Sequence, residues 1–196
     1  MSNPYGDVEL DAQGMRALAH PTRLAILLRL QQHGPSTATA LAPHVGASPS
    51  VTSWHLRHLA GHGLVHDAEQ QGSGRERWWE AVRGFRFTAT DEAGQDAQRL
   101  LSRVMEQVEG DLVGEWNAQV EPHLEPEWRA LSGRANTTVL VTRAELAELE
   151  ERIEELLAPY VLRKGTDPAA VPEAARTVRL IRHTLPGLAA GQGADA

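Results

Sequence analysis

The stretch from Ser36 to Leu64, STATALAPHVGASPSVTSWHLRHLAGHGL, leaves the chain little choice of local fold. It predicts two short helices joined by a tight turn. Ser36 or Thr37 caps the first, because a hydroxyl there accepts from a backbone N–H that the helix leaves unpaired. Leu41 and Val45 follow four apart, on one face. Gly46 comes next, where a helix stop favours a residue tolerant of positive φ. Ser48 is a second N-cap, and Pro49 takes the first helical position, where a missing N–H costs nothing. Beyond it Thr52, Leu56, Leu59 and Gly63 fall on one side, and Ser50, Val51, Trp54, Arg57 and His58 on the other. A narrow apolar seam opposite a hydroxyl-rich, basic face suits a reader of the DNA major groove. Such a helix packs on its own domain while offering short donors and acceptors to base edges.

Segments on either side extend the pattern. They are Leu18-Ala19-His20-Pro21-Thr22-Arg23-Leu24-Ala25-Ile26-Leu27 before it, then His55-Leu56-Arg57-His58-Leu59 and Gly63-Leu64-Val65. In this order they resemble an ArsR-type winged helix-turn-helix transcriptional regulator over residues 12–90. The resemblance implies a homodimer on operator DNA. The DNA-facing residues expected on it are Thr37, Ser48, Ser50, Val51, Ser53, Trp54, His55, Arg57 and His58, with Arg75 and Arg77 on the wing.

A net charge of −7 looks wrong for a DNA binder until it is divided. Residues 1–90 carry +1 and residues 91–196 carry −8, while residues 12–90 alone carry +4. Seven of the nine histidines lie between His20 and His66, so the front faces nucleic acid better than the acidic back. No run of 18 apolar residues marks a membrane span, and no membrane partner is expected. The start, MSNPYGDVELDAQ, lacks the basic and apolar regions of a signal peptide, so a soluble cytoplasmic protein is expected. With no cysteine, disulfides and thiolate metal sites are excluded.

In chain order, Val8 to Ala19 reads as a first helix and Thr22 to His33 as a second, ended by Gly34-Pro35. After the helix pair, Leu64 to Ala68 and Arg77 to Val82 read as strands around a tip from Gln70 to Arg75. That hairpin is the wing, where Arg75 and Arg77 are placed to reach a phosphate or the minor groove. Trp78 and Trp79 alternate, so one packs inward and the other lies near the surface. A long helix is expected from Asp91 to Val120. A strand at Thr137 to Val141 follows, and Thr142-Arg143-Ala144-Glu145 is a capping box opening a helix to Ala158. On that helix Leu146, Leu149, Ile153 and Leu156 form the face expected to be buried. Residues 163–176 read as loop, Thr177 to Thr184 as a second strand, and the end after Pro186 as a disordered tail.

The fold class is therefore mainly α with a small β component (α+β). Residues 1–90 form the winged helix-turn-helix domain, 91–187 a dimerisation or effector domain, and 188–196 a tail. The back half has no ligand signature, so a small-molecule effector is left unidentified.

His55, His58 and His62 sit at i, i+3 and i+7, a spacing that can bring imidazoles to one metal. Metal sensors resembling this family use a cysteine pair on the first helix of the motif, or an Asp/His/Glu set on the dimerisation helix. Here those places hold Thr39-Ala40-Leu41-Ala42 and Asp111-Leu112-Val113-Gly114-Glu115, so no metal and no cofactor are expected. No nucleophile elbow, phosphate loop or paired-metal spacing points to an enzyme. A winged helix that docks protein instead of DNA is the competing reading.

Overall fold

A computed structural model of the chain describes residues 7–68, 76–87, 89, 91–163 and 171–187. Strand β1 (Val8–Leu10) leads into α1 (Ala12–Leu18) and α2 (Pro21–His33). A single helix from Val8 to Ala19 is thus corrected. Asp11 takes the N-cap, its carboxylate accepting from Gly14 N at 2.8 Å, so the helix starts only at Ala12. The three residues before it pair in parallel with β5 (Phe85–Phe87), Val8 opposite Phe85 and Leu10 opposite Phe87.

After α2, strand β2 (Ser36–Thr37) runs into α3 (Ala38–Leu41) and a 3-10 turn at Ala42–His44. Gly46 then adopts φ +62°, reversing the chain into α4 (Pro49–Gly61). Strands β3 (Val65–Asp67) and β4 (Trp78–Ala81) are the wing expected from the sequence, and β2 adds to the free edge of β4. The ladder is antiparallel, with Ser36 opposite Trp79 and Val65 opposite Ala81. Trp79 is buried and Trp78 half-covered, as alternation requires.

One apolar cluster holds these pieces together. Met15 and Leu18 from α1, Leu24, Ile26, Leu27 and Leu30 from α2, and Leu56 and Leu59 from α4 meet Leu41, Leu64, Val65 and Trp79. The core continues past residue 90. Helix α5 (Glu92–Gln119), capped by Asp91 accepting from Gly94 N at 2.7 Å, adds Ala97 and Leu101 and lies along α1.

Beyond Leu101 no described residue is buried. Helix α6 (Pro126–Arg129) is one turn, and α7 (Arg143–Arg163) opens with the expected capping box. Thr142 N donates to Glu145 Oε2 at 2.7 Å and Glu145 N to Thr142 Oγ1 at 3.2 Å. The helix runs past Ala158 to Arg163 with Pro159 inside it. Its expected inner face is only partly covered: Leu146 and Ile153 are half-buried, while Leu149 and Leu156 are exposed. The strands expected at Thr137–Val141 and Thr177–Thr184 are absent, because no described segment offers either one an edge to pair with. Arg86 joins back to front, its guanidinium bound to Asp7 Oδ2 at 3.0 Å and to Glu154 of α7. No described helix is long and apolar enough to cross a membrane. The wing tip from 69 to 75 and the tail from 188 lie outside the described residues.

Candidate nucleic-acid interface

Helix α4 is fixed at its entry by two hydrogen bonds around one residue. Ser48 Oγ accepts from Val51 N at 3.3 Å, and Thr52 Oγ1 donates to Ser48 O at 2.9 Å. The Thr52 hydroxyl is thereby satisfied inside the turn, which lets a polar residue occupy a fully buried position. Thr52, His55, Leu56 and Leu59 face the core. Ser50, Val51, Trp54 and Arg57 face out, with Val51 46% and Trp54 53% exposed, and Ser53 and His58 lie half-covered at the margins. The indole does not fold back onto the scaffold. It stacks on His58, centroids 5.7 Å apart, and stands open to solvent. Arg57 forms no ion pair among the described residues. The result is a ridge of hydroxyl, methyl, indole and guanidinium on a capped helix, exposed among the described residues.

Three members of the expected set sit elsewhere. His55 is only 5% exposed and packs its ring 4.9 Å from that of His20, so it belongs to the scaffold side of α4. It is three residues on from Thr52, and helical periodicity carries it inward with that residue. Thr37 is likewise 5% exposed, its Oγ1 accepting from Ala40 N at 3.2 Å as the cap of α3. Arg77 is exposed but engaged: Nε and Nη2 hold Asp67 at 2.5 and 2.9 Å, and the guanidinium lies 4.0 Å above the Trp79 ring. Asp67 holds its carboxylate below the ordinary range chiefly through that hydrogen bond, and Arg77 is raised by it. Arg75 lies outside the described residues.

A cluster of imidazoles beside one arginine lies behind α4; the sequence singled out its α4 members, His55, His58 and His62, but not their apposition with His20 and Arg23. His20 caps α2, its Nδ1 accepting from Thr22 N at 3.2 Å, and Arg23 follows on the same helix. His55 and His58 approach from α4, and His58 meets His62 with ring centroids 5.2 Å apart. Burial lowers the pKa of His20, His55 and His58, and the Arg23 charge lowers each further. His55 Nδ1 and Arg23 Nε are buried with no hydrogen-bond partner. Among the described residues, no three His, Cys, Asp or Glu side chains are placed to hold a metal ion.

Residues 18–68 match the family model described as a helix-turn-helix domain. No curated protein matches the chain. Solved structures similar to it include three bacterial proteins. One is the homodimeric winged helix-turn-helix DNA-binding domain Mb0332 from Mycobacterium bovis, a possible ArsR-family transcriptional regulator. It is 24% identical, with 58% of this chain and 84% of that one covered at TM-score 0.31. RV1404 from Mycobacterium tuberculosis is 19% identical over 61% and 75%, at TM-score 0.31. NMB1585, a MarR family regulator from Neisseria meningitidis, is 16% identical over 71% and 79%, at TM-score 0.30. Likeness at these scores fixes no property of this chain. The matched segment supplies α2, α3, the turn, α4 and β3, and β4 completes the hairpin against them. The front of the chain therefore carries a helix-turn-helix domain completed by the β3–β4 wing hairpin.

Proposed function

We propose that the chain is a sequence-specific DNA-binding transcriptional regulator, with α4 laid in the major groove of duplex DNA. The observation that carries this reading is the outward ridge of Ser50, Val51, Trp54 and Arg57 on a helix capped by Ser48, exposed among the described residues. Ser50 and Arg57 offer hydrogen bonds to base edges, and Val51 and Trp54 offer apolar contact to a thymine methyl or sugar. The Ser48 hydroxyl and the amides of the first turn of α4 meet phosphate. Arg75 supplies the wing's phosphate contact, and Arg77 contributes only where DNA draws it from Asp67.

In this reading the protein acts in the cytoplasm as a homodimer. Its two recognition helices enter successive major grooves of a pseudo-palindromic operator, about 10–10.5 bp apart or a multiple of that. A small-molecule effector would act on the back half and reach the head through α7 and the Arg86 joint with Asp7 and Glu154. Selection of bound fragments from random genomic duplex tests the proposal. Enrichment of a two-fold symmetric site supports it, and enrichment of nothing overturns it.

Protein docking on the same ridge is the second reading. The exposure of Val51 and Trp54 and the neutralised Arg77 favour it. A chain that shows no salt-sensitive duplex binding selects this reading over the first.

A further inference from the structure

Helix α2 begins on a hydrogen bond that one proton abolishes. His20 is its N-cap, and His20 Nδ1 accepts from Thr22 N at 3.2 Å. An imidazole accepts at Nδ1 only while that nitrogen carries no proton, so the cap belongs to the neutral ring with its proton on Nε2. Charging the ring turns the acceptor into a donor that faces another donor. It also sets a positive charge against the positive end of the helix dipole. Asparagine or serine at the same place caps a helix without titrating.

This cap touches α4. The His20 ring lies 4.9 Å from that of His55, whose Nδ1 is buried with no hydrogen-bond partner among the described residues. A neutral His55 leaves one lone pair unmet there. A charged one leaves an N–H and a positive charge unmet, which costs far more. From His55 the ring contacts run outward: the Trp54 indole stands edge-on to it at 4.9 Å, stacks on His58 at 5.7 Å, and His58 meets His62 at 5.2 Å. A row of five rings thus leads from the cap of α2 to the exposed ridge of α4.

The charges around the row have one sign. His20 feels Arg23; His55 feels His20, Arg23 and His58; His58 feels Arg23 and His62, and no carboxylate is among the charges acting on any of the three. The one charged side chain of α1, Arg16, donates to Ala93 O of α5 at 3.1 Å, while Arg16 O accepts from Arg23 Nη2 at 3.4 Å. Of the other elements packed on α4, α3 has no ionisable side chain, and β3 carries His66 and Asp67, the latter bound by Arg77. A proton added at this seam therefore meets only cations. Burial first and the neighbouring cations second hold His20 and His55 below the ordinary histidine value, so the seam is neutral at neutral pH.

We propose that His20 is a positioning residue for DNA reading: its neutral ring, packed on that of His55, locks α4 onto α2, and protonation of the pair in mild acid releases α4 and removes the preference for a cognate over a random duplex. The proposal rests on the regulator reading above and names a condition that controls it. An opened seam returns both rings to ordinary titration, so it takes up protons that the locked seam refuses, and acid below about pH 6.5 favours it. A cognate duplex that needs the locked seam expels those protons in turn, because the coupling is reciprocal. Attachment to phosphate survives the change, since added cations favour any duplex.

Two measurements on the full chain test it, one of them without DNA. The methyl resonances of Leu56, fully buried next to His55 on α4, should move on acidification with the midpoint of the His20 imidazole. His20→Asn keeps a capping acceptor and loses the proton site, so there the movement should shrink and start at lower pH. Adding His55→Gln should abolish it, with melting at neutral pH as the check that both variants fold. With DNA, the ratio of cognate to random-duplex affinity should fall about tenfold or more between about pH 7.5 and 5.5 in wild type, while random duplex binds no more weakly. His20→Asn should retain most of the ratio. Leu56 signals that stay still in wild type, or move equally in His20→Asn, overturn the lock whatever the DNA does. A ratio constant with pH in wild type, or falling equally in His20→Asn, overturns its link to DNA reading. A chain that prefers no duplex at neutral pH overturns the regulator reading instead, and the Leu56 signals still decide the lock.

Discussion

Arg77 is held to both carboxylate oxygens of Asp67 across the wing hairpin, and its guanidinium carbon lies 4.0 Å over the Trp79 ring. The strongest cation among the described wing residues is therefore paired before any DNA arrives. Asp67→Asn releases it. Non-specific duplex affinity should rise, and the slope of log K against log salt should steepen by about one unit. Titration by filter binding or fluorescence anisotropy at several salt concentrations measures this, and an unchanged slope would show that Arg77 stays off the phosphates. Arg75→Ala should act in the opposite sense, weakening specific and random duplex alike and flattening the slope by about one unit.

Ser50 and Trp54 separate base reading from mere attachment. Ser50→Ala removes a short donor from the ridge without touching the core, so thermal stability should hold while the cognate site loses about tenfold in affinity and random DNA much less. Equal losses on both would take Ser50 out of direct readout. Trp54→Ala should leave the fold intact for the same reason, since the indole is open to solvent. Its binding loss should be largest where a thymine methyl lies under it.

The His20, His55 and His58 cluster predicts a stability that depends on pH. All three imidazoles titrate below 6.5 in the folded chain, through burial first, then the Arg23 charge at His20 and His58 and the neighbouring His20 ahead of Arg23 at His55. The unfolded chain titrates near the ordinary value, so between the two pKa values it binds more protons than the folded chain does. Stability is then complete above about 6.5 and falls as the pH is lowered through that interval. Urea unfolding at a series of pH values from neutral to mildly acidic should show the midpoint moving down with pH. His55→Gln should flatten that trend, and a wild-type midpoint constant across the range would refute the account.

Arg86 is three-quarters buried between two carboxylates from opposite ends of the chain, Asp7 before β1 and Glu154 on α7. Removing it strands both acids. Arg86→Ala should destabilise the protein by about 3 kcal/mol in urea unfolding, since breaking a buried pair leaves uncompensated charge behind. Hydrogen exchange should show α7 amides losing protection before those of α2. A loss below about 0.5 kcal/mol, the range of an ordinary surface substitution, would reduce the joint to a surface contact.

Much of the head was legible because its signals are local. Ser48-Pro49 and the Thr52 seam, like the Thr142/Glu145 box of the back half, each act over a few residues and take the expected form. The parallel pair β1–β5 was not legible, since three residues carry no period and their partner lies beyond the wing. The burial of His55 was partly legible: its place beside Leu56 and three after Thr52 puts it near the seam, but the apposition with His20 depends on the crossing of α2 and α4. The Asp67–Arg77 pair did have a signal, opposite charges on facing strands of a short hairpin. The two strands expected in the back half failed for a different reason. Composition sets a preference for pairing, but an edge to pair with must come from elsewhere.

Helix α5 begins inside the head, with Ala97 and Leu101 clamped in its core, and continues unbroken for 28 residues to Gln119. At 1.5 Å per residue it is a spar about 42 Å long. Counted from Leu101 its 18 further residues reach about 27 Å, and tilting them by about 5° carries the free end through about 2.4 Å. In the homodimer proposed above, a small tilt at the base of the spar is thus enlarged before it reaches the back half.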